Sequence, residues 1–315
     1  MKEQFFIVLS SFILTVVCGS VFVRVLRKKK IAQPIYEYVE EHKGKKGTPT
    51  AGGLFFIIPA SLVFLLSNAE KSRSSFVALA IGIAFMLVGF LDDFIKLKSK
   101  KNEGLKPYQK IIFQVGIALI FGAYAYFNGI TEFRLPFTSE TVDFGVYTVF
   151  FDAFIFVATT NCVNLTDGID GLASSVSLVY LLFLSFIIYK SVGVYDEYIT
   201  LSVSLIGALS GFLVFNKSKA SVFMGDTGSL SLGGFISALS ILSGNGFYIL
   251  ILGIVFVLTG ISVIIQVAYY KLTKKRVFLM APFHHHLQLK GLSEEKIVYY
   301  YSLLTVLTGA VSLIF

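Results

Sequence analysis

The sequence predicts an all-α integral membrane protein with about ten transmembrane helices. Three observations lead there. Of its 315 residues, 55% are hydrophobic and only 15% are charged, with a mean hydropathy of +0.78. A bilayer-crossing helix needs ~20 mostly apolar residues, and runs of about that length recur along the chain. The basic residues gather on alternate connections between those runs, as the positive-inside rule requires.

The first apolar run, 5–25, ends in the basic cluster Arg24 and Arg27 to Lys30. Its apolar stretch is longer than the ~7–15 residues of a signal peptide, and the basic cluster acts as a stop-transfer signal. Val17, ahead of Cys18, is too large for a lipoprotein cleavage site. Further spans are expected at 52–68, 75–95 and 108–127. The polar segment Asn128 to Val146 then alternates and carries a proline, which predicts a small hairpin. The remaining spans are expected at 147–164, 172–190, 198–215, 228–243, 247–270 and 297–315. The ninth is long, and Gly253 and Gly260 give it places to bend.

Ten spans put both termini on one side. With the loops after spans 1, 3, 5, 7 and 9 inside, 22 of the 27 Lys and Arg residues lie on the cytoplasmic face. Both termini are therefore expected outside. The net charge of +8 follows from this topology and from anionic lipid heads and substrates, not from nucleic acid. Cys18 and Cys162 lie in apolar runs and form neither a disulfide framework nor a metal site. The chain shows no internal repeat and no soluble domain, so residues 1–315 are expected to form one transmembrane catalytic domain.

Five of the eight aspartates interrupt the apolar pattern in three places: Asp92-Asp93, Asp167 with Asp170, and Asp226. Ionisable groups at membrane depth are costly and read as functional by default. The topology puts all three breaks on the cytoplasmic face. Asp92-Asp93 is followed by Lys96, Lys98, Lys100 and Lys101, which suits a site holding a metal and a phosphate together. The plainer reading is two acids marking a helix end. In Asn161 to Gly171, Asn161, Asn164, Asp167 and Asp170 are spaced by three and would share one face of a helix. A tight turn with Asx caps is the alternative. The segment lacks the terminal Glu of a calcium-binding EF-hand loop.

Asp226 lies in FMGDTGSLSLGG, where it could cap a helix start or border a phosphate site on backbone N–H groups. The segment is not a Walker loop, because no Gly-Lys-Ser/Thr occurs. His284, His285 and His286 are consecutive and cannot easily all bind one ion; contact with phosphates or an adjustment of proton transfer suits them better. Carboxylates and phosphates favour Mg²⁺ over zinc.

Taken together, these segments resemble the polyprenyl-phosphate N-acetylhexosamine-1-phosphate transferases. Within that superfamily the chain is most similar to the phospho-N-acetylmuramoyl-pentapeptide transferase family. The segments Lys45 to Thr50, Asp92-Asp93, Asn161 to Leu172, Phe223 to Gly228 and APFHHH match in order and spacing across nearly the whole chain. The resemblance implies transfer of phospho-MurNAc-pentapeptide from UDP-MurNAc-pentapeptide to undecaprenyl phosphate, giving lipid I and UMP. It implies Mg²⁺, a cytoplasmic active-site cleft, a homodimer and the bacterial inner (plasma) membrane.

Residue roles follow from the same resemblance. Asp226 corresponds to the magnesium-binding acid. Asp92 corresponds to the base towards the lipid phosphate or, less favoured, a nucleophile. Asp93 supports the same site, and His285 joins these acids as a catalytic group. Asn161, Asn164, Asp167 and Asp170 fall on the nucleotide side, and Phe223 at the aromatic that stacks on uracil. Lys45, Thr50, Asn216, Gln266, His284 and His286 fall at substrate contacts, and Lys96 and Lys110 at phosphate-side lysines. Three positions depart from the family pattern: Ala51 replaces a common Met, Gln288 replaces an acid after the histidines, and Tyr108 stands near an expected basic residue.

A sibling transferase of GlcNAc-1-phosphate would keep the acids, but GTPTAGG and APFHHH favour the muramoyl-pentapeptide branch. A secondary transporter would place its ionisable groups near the midplane between repeated halves. Here they gather at one end of the spans. Asp152 instead lies within a span, towards its outer end, and nothing in the sequence assigns it a role.

Overall fold

The computed structural model describes residues 2–28, 48–67, 73–99, 104–192 and 197–314. Helices α1 (Lys2–Lys28), α2 (Leu54–Leu66), α3 (Arg73–Ser99) and α4 (Pro107–Phe127) come first. Strands β1 (Glu132–Arg134) and β2 (Thr141–Asp143) follow, then α5 (Thr148–Thr166), α6 (Leu172–Val192), α7 (Glu197–Asn216) and α8 (Gly225–Leu242). The chain ends with α9 (Ile249–Leu252), α10 (Ile254–Thr273), α11 (Phe283–Leu289) and α12 (Glu294–Ser312).

Among the described residues, seven helices are long and apolar enough to cross a membrane: α1, α3, α4, α5, α6, α7 and α10. α2 has only 13 residues, which at ~1.5 Å per residue is short of a ~30 Å hydrocarbon core. α8 shows why hydropathy undercounts. It lies at the centre, contacting α2, α3, α5 and α6, and every residue from Thr227 to Leu242 is buried. A helix sheathed by other helices meets little lipid. Close packing then favours small residues over apolar bulk.

The small residues set these crossings. A Cβ at Gly89 of α3 would lie 2.0 Å from the carbonyl oxygen of Asp226, so no side chain fits where α3 meets the start of α8. On the outside of the bundle the pattern reverses, and Ile120, Phe150, Phe154 and Ile264 are exposed.

The expected hairpin is present. β1 and β2 pair antiparallel, with Phe133 opposite Val142. Phe133 is fully buried against Phe144, Phe151 and Phe247. The backbone N–H of Arg134 donates to the Gly244 carbonyl just past α8 (2.8 Å), fixing the hairpin at the C-terminal end of that helix. The long ninth run breaks at Gly253, which separates α9 from α10. Gly260 stays helical, packed against Cys162. Asp152 is fully buried on α5, and neither carboxylate oxygen has a hydrogen-bond partner.

Candidate active site

At the end of the bundle away from the hairpin, the C-terminal turns of α3 and α5 meet the first turns of α4 and α8. Asp93 accepts from the backbone N–H groups of Asp226 (3.2 Å) and Thr227 (3.0 Å) and from the Thr227 hydroxyl (2.6 Å). The first N–H groups of a helix have no partner within it. Here α3 supplies the carboxylate that caps α8, and the residue at the N-cap position, Met224, makes no side-chain cap. Asp226 is therefore not the cap that its sequence position allowed. Gly225, at φ +71, makes the approach possible: a Cβ there would lie 2.5 Å from Asp93 Oδ2 and 2.7 Å from Thr50 Oγ1.

This arrangement carries a stability prediction. Asp93→Ala strands three donors in a buried setting and is expected to lower unfolding free energy by about 2–4 kcal/mol. Unfolding in detergent measures it, and an unchanged midpoint would contradict the capping role.

With α8 capped from α3, the Asp226 carboxylate turns to the cleft. Oδ2 accepts from Lys96 Nζ at 3.2 Å and from Lys110 Nζ, and Oδ1 accepts from Asn164 Nδ2 at 2.9 Å. Asn164 also donates to Ser229 Oγ at 2.8 Å, which fixes its orientation. Asp92 pairs with Lys96, one helical turn away, and with Lys110 at 3.7 Å. Its Oδ1 also accepts from the Leu105 backbone at 2.8 Å. Oxygens of Asp92, Asp93 and Asp226 lie within 4.8 Å of one another, and this cluster could hold a metal ion. Asp92 and Asp93 are each 1% exposed, whereas Asp226 and both lysines are partly open. Three carboxylates facing two ammonium groups leave an excess of negative charge. An oxygen-only donor set of that kind suits a hard divalent cation.

The other expected site residues divide. Asn161 donates to Gln114 Oε1 (2.6 Å) and Val157 O (2.7 Å) and so faces α4. Asp170 accepts from Ala220 N (2.9 Å), and its own N–H donates to Glu294 Oε2 (3.3 Å). The single face expected of the four residues spaced by three is not formed, because α5 ends at Thr166 and the chain turns through Gly171 at φ +75. Of the four, Asn164 alone is hydrogen-bonded to the acid cluster. Asp167 sits at the C-terminus of α5. Burial first, then the charges of Asp226, Asp93 and Asp170, push its carboxyl well above the usual range. That favours the neutral acid, which can donate a hydrogen bond.

Asn216 accepts from Ser174 Oγ and donates to Val222 O, closing the turn after α7. Phe223 is held by its backbone, donating to Pro49 O and accepting from Gly52 N. Thr50 is buried, with no hydrogen-bond partner for its hydroxyl. Gln266 clamps the segment after α10 through Val277 N, Phe278 N and Phe278 O. His286 accepts from Leu279 N, and His285 lies against Gln288. His284 is fully buried with neither ring nitrogen hydrogen-bonded. A Cβ at Gly168 would lie 2.2 Å from its Nε2, so it packs the 161–171 segment against α11. Burial, then His285, holds its pKa well below the usual histidine value. Lys45 lies outside the described residues.

Sequence reasoning missed Gln114 and Glu294 as partners. Gln114 had a signal, as a lone amide in an apolar run. Glu294 had none, because an acid in a first helical turn is ordinary.

Residues 75–244 match the family model described as glycosyl transferase family 4. Across its full length the chain is 40% identical to the phospho-N-acetylmuramoyl-pentapeptide-transferase of Clostridium novyi (strain NT), covering 98% of that protein. The chain belongs to the phospho-N-acetylmuramoyl-pentapeptide transferase family. The transferase of Clostridioides difficile (strain 630) is 39% identical over 99% of the chain and 97% of its own length. That of Caldanaerobacter subterraneus subsp. tengcongensis is 40% identical over 99% and 98%. Members of this family are phosphoglycosyl transferases, and this one has several membrane-crossing helices.

Proposed function

We propose that the chain transfers phospho-N-acetylmuramoyl-pentapeptide from UDP-MurNAc-pentapeptide to undecaprenyl phosphate, giving lipid I and UMP for peptidoglycan synthesis. The observation that carries this is the convergence of Asp92, Asp93 and Asp226 with Lys96 and Lys110, within a chain of this family. Both substrates are anionic, so like-charge repulsion is the obstacle to their meeting. Lys96 and Lys110 reach the cleft from α3 and α4 and can bind phosphate oxygens of either substrate. Asp92, held by Leu105 N–H, accepts a proton from the lipid phosphate as its oxygen attacks the sugar-linked phosphate and UMP leaves. Asn164 orients Asp226.

The donor set fits Mg²⁺, with Asp226 as its ligand and Asp92 and Asp93 beside it. When bound, the ion polarises the pyrophosphate and neutralises charge on departing UMP. On the nucleotide side we assign Asp167, Asp170, Asn161, Asn216 and Phe223. Substrate contacts go to Lys45, Thr50, Gln266 and the histidines.

In this reading α2, α8 and α12 join the seven long helices to give ten crossings, with α9 and α10 counted as one. The distribution of Lys and Arg supports outer termini and a cytoplasmic cleft, and we assign the one-domain chain to the bacterial inner membrane as a homodimer. One substrate is soluble and the other stays in the membrane, so a site built from helix ends is where they can meet.

Purified protein incubated with undecaprenyl phosphate, Mg²⁺ and either UDP-sugar tests this. Release of UMP from UDP-MurNAc-pentapeptide is expected. Turnover of UDP-GlcNAc alone would move the chain to the sibling activity.

A further inference from the structure

α4 carries Lys110 on a stretch with little packing. None of the residues from Pro107 to Phe113 is buried, and Gln114 is the first residue of α4 that is. Beyond Gln114 the helix is held against α5. Ala118 and Phe121 are buried, the Phe121 ring meets Phe156 at 4.7 Å, and a Cβ at Gly122 would lie 2.7 Å from Val149 O. Ahead of α4 the chain is tied at Leu105, whose N–H donates to Asp92. Lys110 thus sits between an anchor at Leu105 and one that begins at Gln114.

Gln114 is fully buried, and its Oε1 accepts from Asn161 Nδ2 at 2.6 Å. The same nitrogen donates to Val157 O at 2.7 Å, one turn back on α5. A carbonyl only accepts, so the edge of Asn161 facing Gln114 is its NH₂, and the Gln114 atom that meets it is the oxygen. Gln114 Nε2 is left buried with no partner. A buried donor without an acceptor is costly, and an apolar side chain, as at Ala118, would spare that cost. What the amide supplies in return is a bond across the seam between α4 and α5.

That seam has two layers at the end near the acids. Lys110 and Gln114 are four residues apart on α4, and Asn161 and Asn164 are three apart on α5, so each pair shares one face of its helix. The helices run antiparallel, with Gln114 beside Asn161 and Gly122 beside Val149. One layer joins Gln114 to Asn161. One turn nearer the cleft, Lys110 and Asn164 both bind Asp226, the first at Oδ2 and the second at Oδ1.

We propose that Gln114 is a positioning residue, which holds α4 against α5 in the register at which Lys110 and Asn164 reach the same carboxylate. Without its bond, the next buried residue of α4 is Ala118, about two turns beyond Lys110. The anchoring follows from the contacts themselves. Its consequence for turnover rests on the transferase reading above, in which Lys110 binds phosphate oxygens.

The test uses full-length protein in lipid nanodiscs. Gln114→Met keeps the size of the side chain and removes the acceptor. An amine-specific acylating reagent, read at Lys110 by mass spectrometry with no substrate present, reports how firmly that ammonium group is held. Labelling at Lys110 is expected to rise severalfold, while Lys96, carried by α3, keeps its wild-type labelling. Asn161→Ala breaks the same bond from the other side and is expected to raise Lys110 labelling too, so the answer does not depend on one variant's folding. In Gln114→Met, kcat for UMP release is expected to fall about 10- to 100-fold, the scale of losing a supporting contact. In a Lys110→Met background the same change is expected to add little, because residues that act through one another are not additive.

Unchanged Lys110 labelling in both variants overturns the anchoring. An equal rise at Lys96 and Lys110 marks a general loosening and overturns it as well. Unchanged kcat beside raised labelling overturns the positioning role, and losses that multiply in the double variant overturn the route through Lys110. Wild-type protein with a well-held Lys110 but no UMP release would instead overturn the functional reading and leave the anchoring in place.

Discussion

Asp226→Asn is expected to lower UMP release by about 10²–10³-fold, the scale of losing a group that stabilises transition-state charge, in a protein that still folds. The carboxylate has two oxygens engaged from three sides, by Lys96, Lys110 and Asn164. An amide keeps the shape but removes the charge. If its NH₂ faces Lys96 and Lys110 it meets groups that can only donate, and it is a poor ligand for a hard cation. The fold does not depend on this side chain, because Asp93 caps α8 through backbone N–H groups that the substitution leaves in place. Activity and stability therefore separate. The check is UMP release at saturating substrate and Mg²⁺, beside an unfolding midpoint in the same detergent. Near-normal release would remove Asp226 from the reacting centre.

The contrast between Asp226 and Asp93 shows what the sequence made legible. Three acidic breaks at one end of the spans could be read from hydropathy and lysine placement. Lys96 lies four residues from Asp92, so helical spacing already pairs them. The division of labour among the acids could not be read, because it depends on contacts between distant segments. Asp93 and Thr227 are 134 residues apart, and no local pattern shows that one helix caps another. Lys110 reaches Asp226 across 116 residues, and only resemblance pointed to it.

The 161–171 segment misled for a related reason. Spacing by three implies one face only while the helix continues, and it stops at Thr166. α8 escaped the simple hydropathy criterion because its neighbours, not lipid, surround it. Gly253 was legible because a break in a long apolar run needs a residue of this kind at the break.

Asp92→Asn is expected to lower turnover by about 10²–10⁴-fold, the range for losing general base catalysis, with nucleotide affinity largely kept. The amide that replaces the carboxylate can still accept the Leu105 N–H through its oxygen, so the turn before α4 keeps its anchor. The amide nitrogen then meets Lys96, which can pair with Asp226 instead. The nucleotide-side groups are untouched. The pH dependence of the defect separates the two roles open to Asp92. A phosphate monoester loses its second proton near pH 6, so above that pH an acceptor of this kind is increasingly deprotonated without help. If Asp92 is a base, the ratio of wild-type to variant rates narrows as pH rises above about 6. If Asp92 is a nucleophile, the amide variant cannot form the covalent intermediate at any pH, and the ratio stays flat. A constant ratio, with a phosphorylated wild-type enzyme trapped when undecaprenyl phosphate is withheld, would overturn the base assignment proposed here.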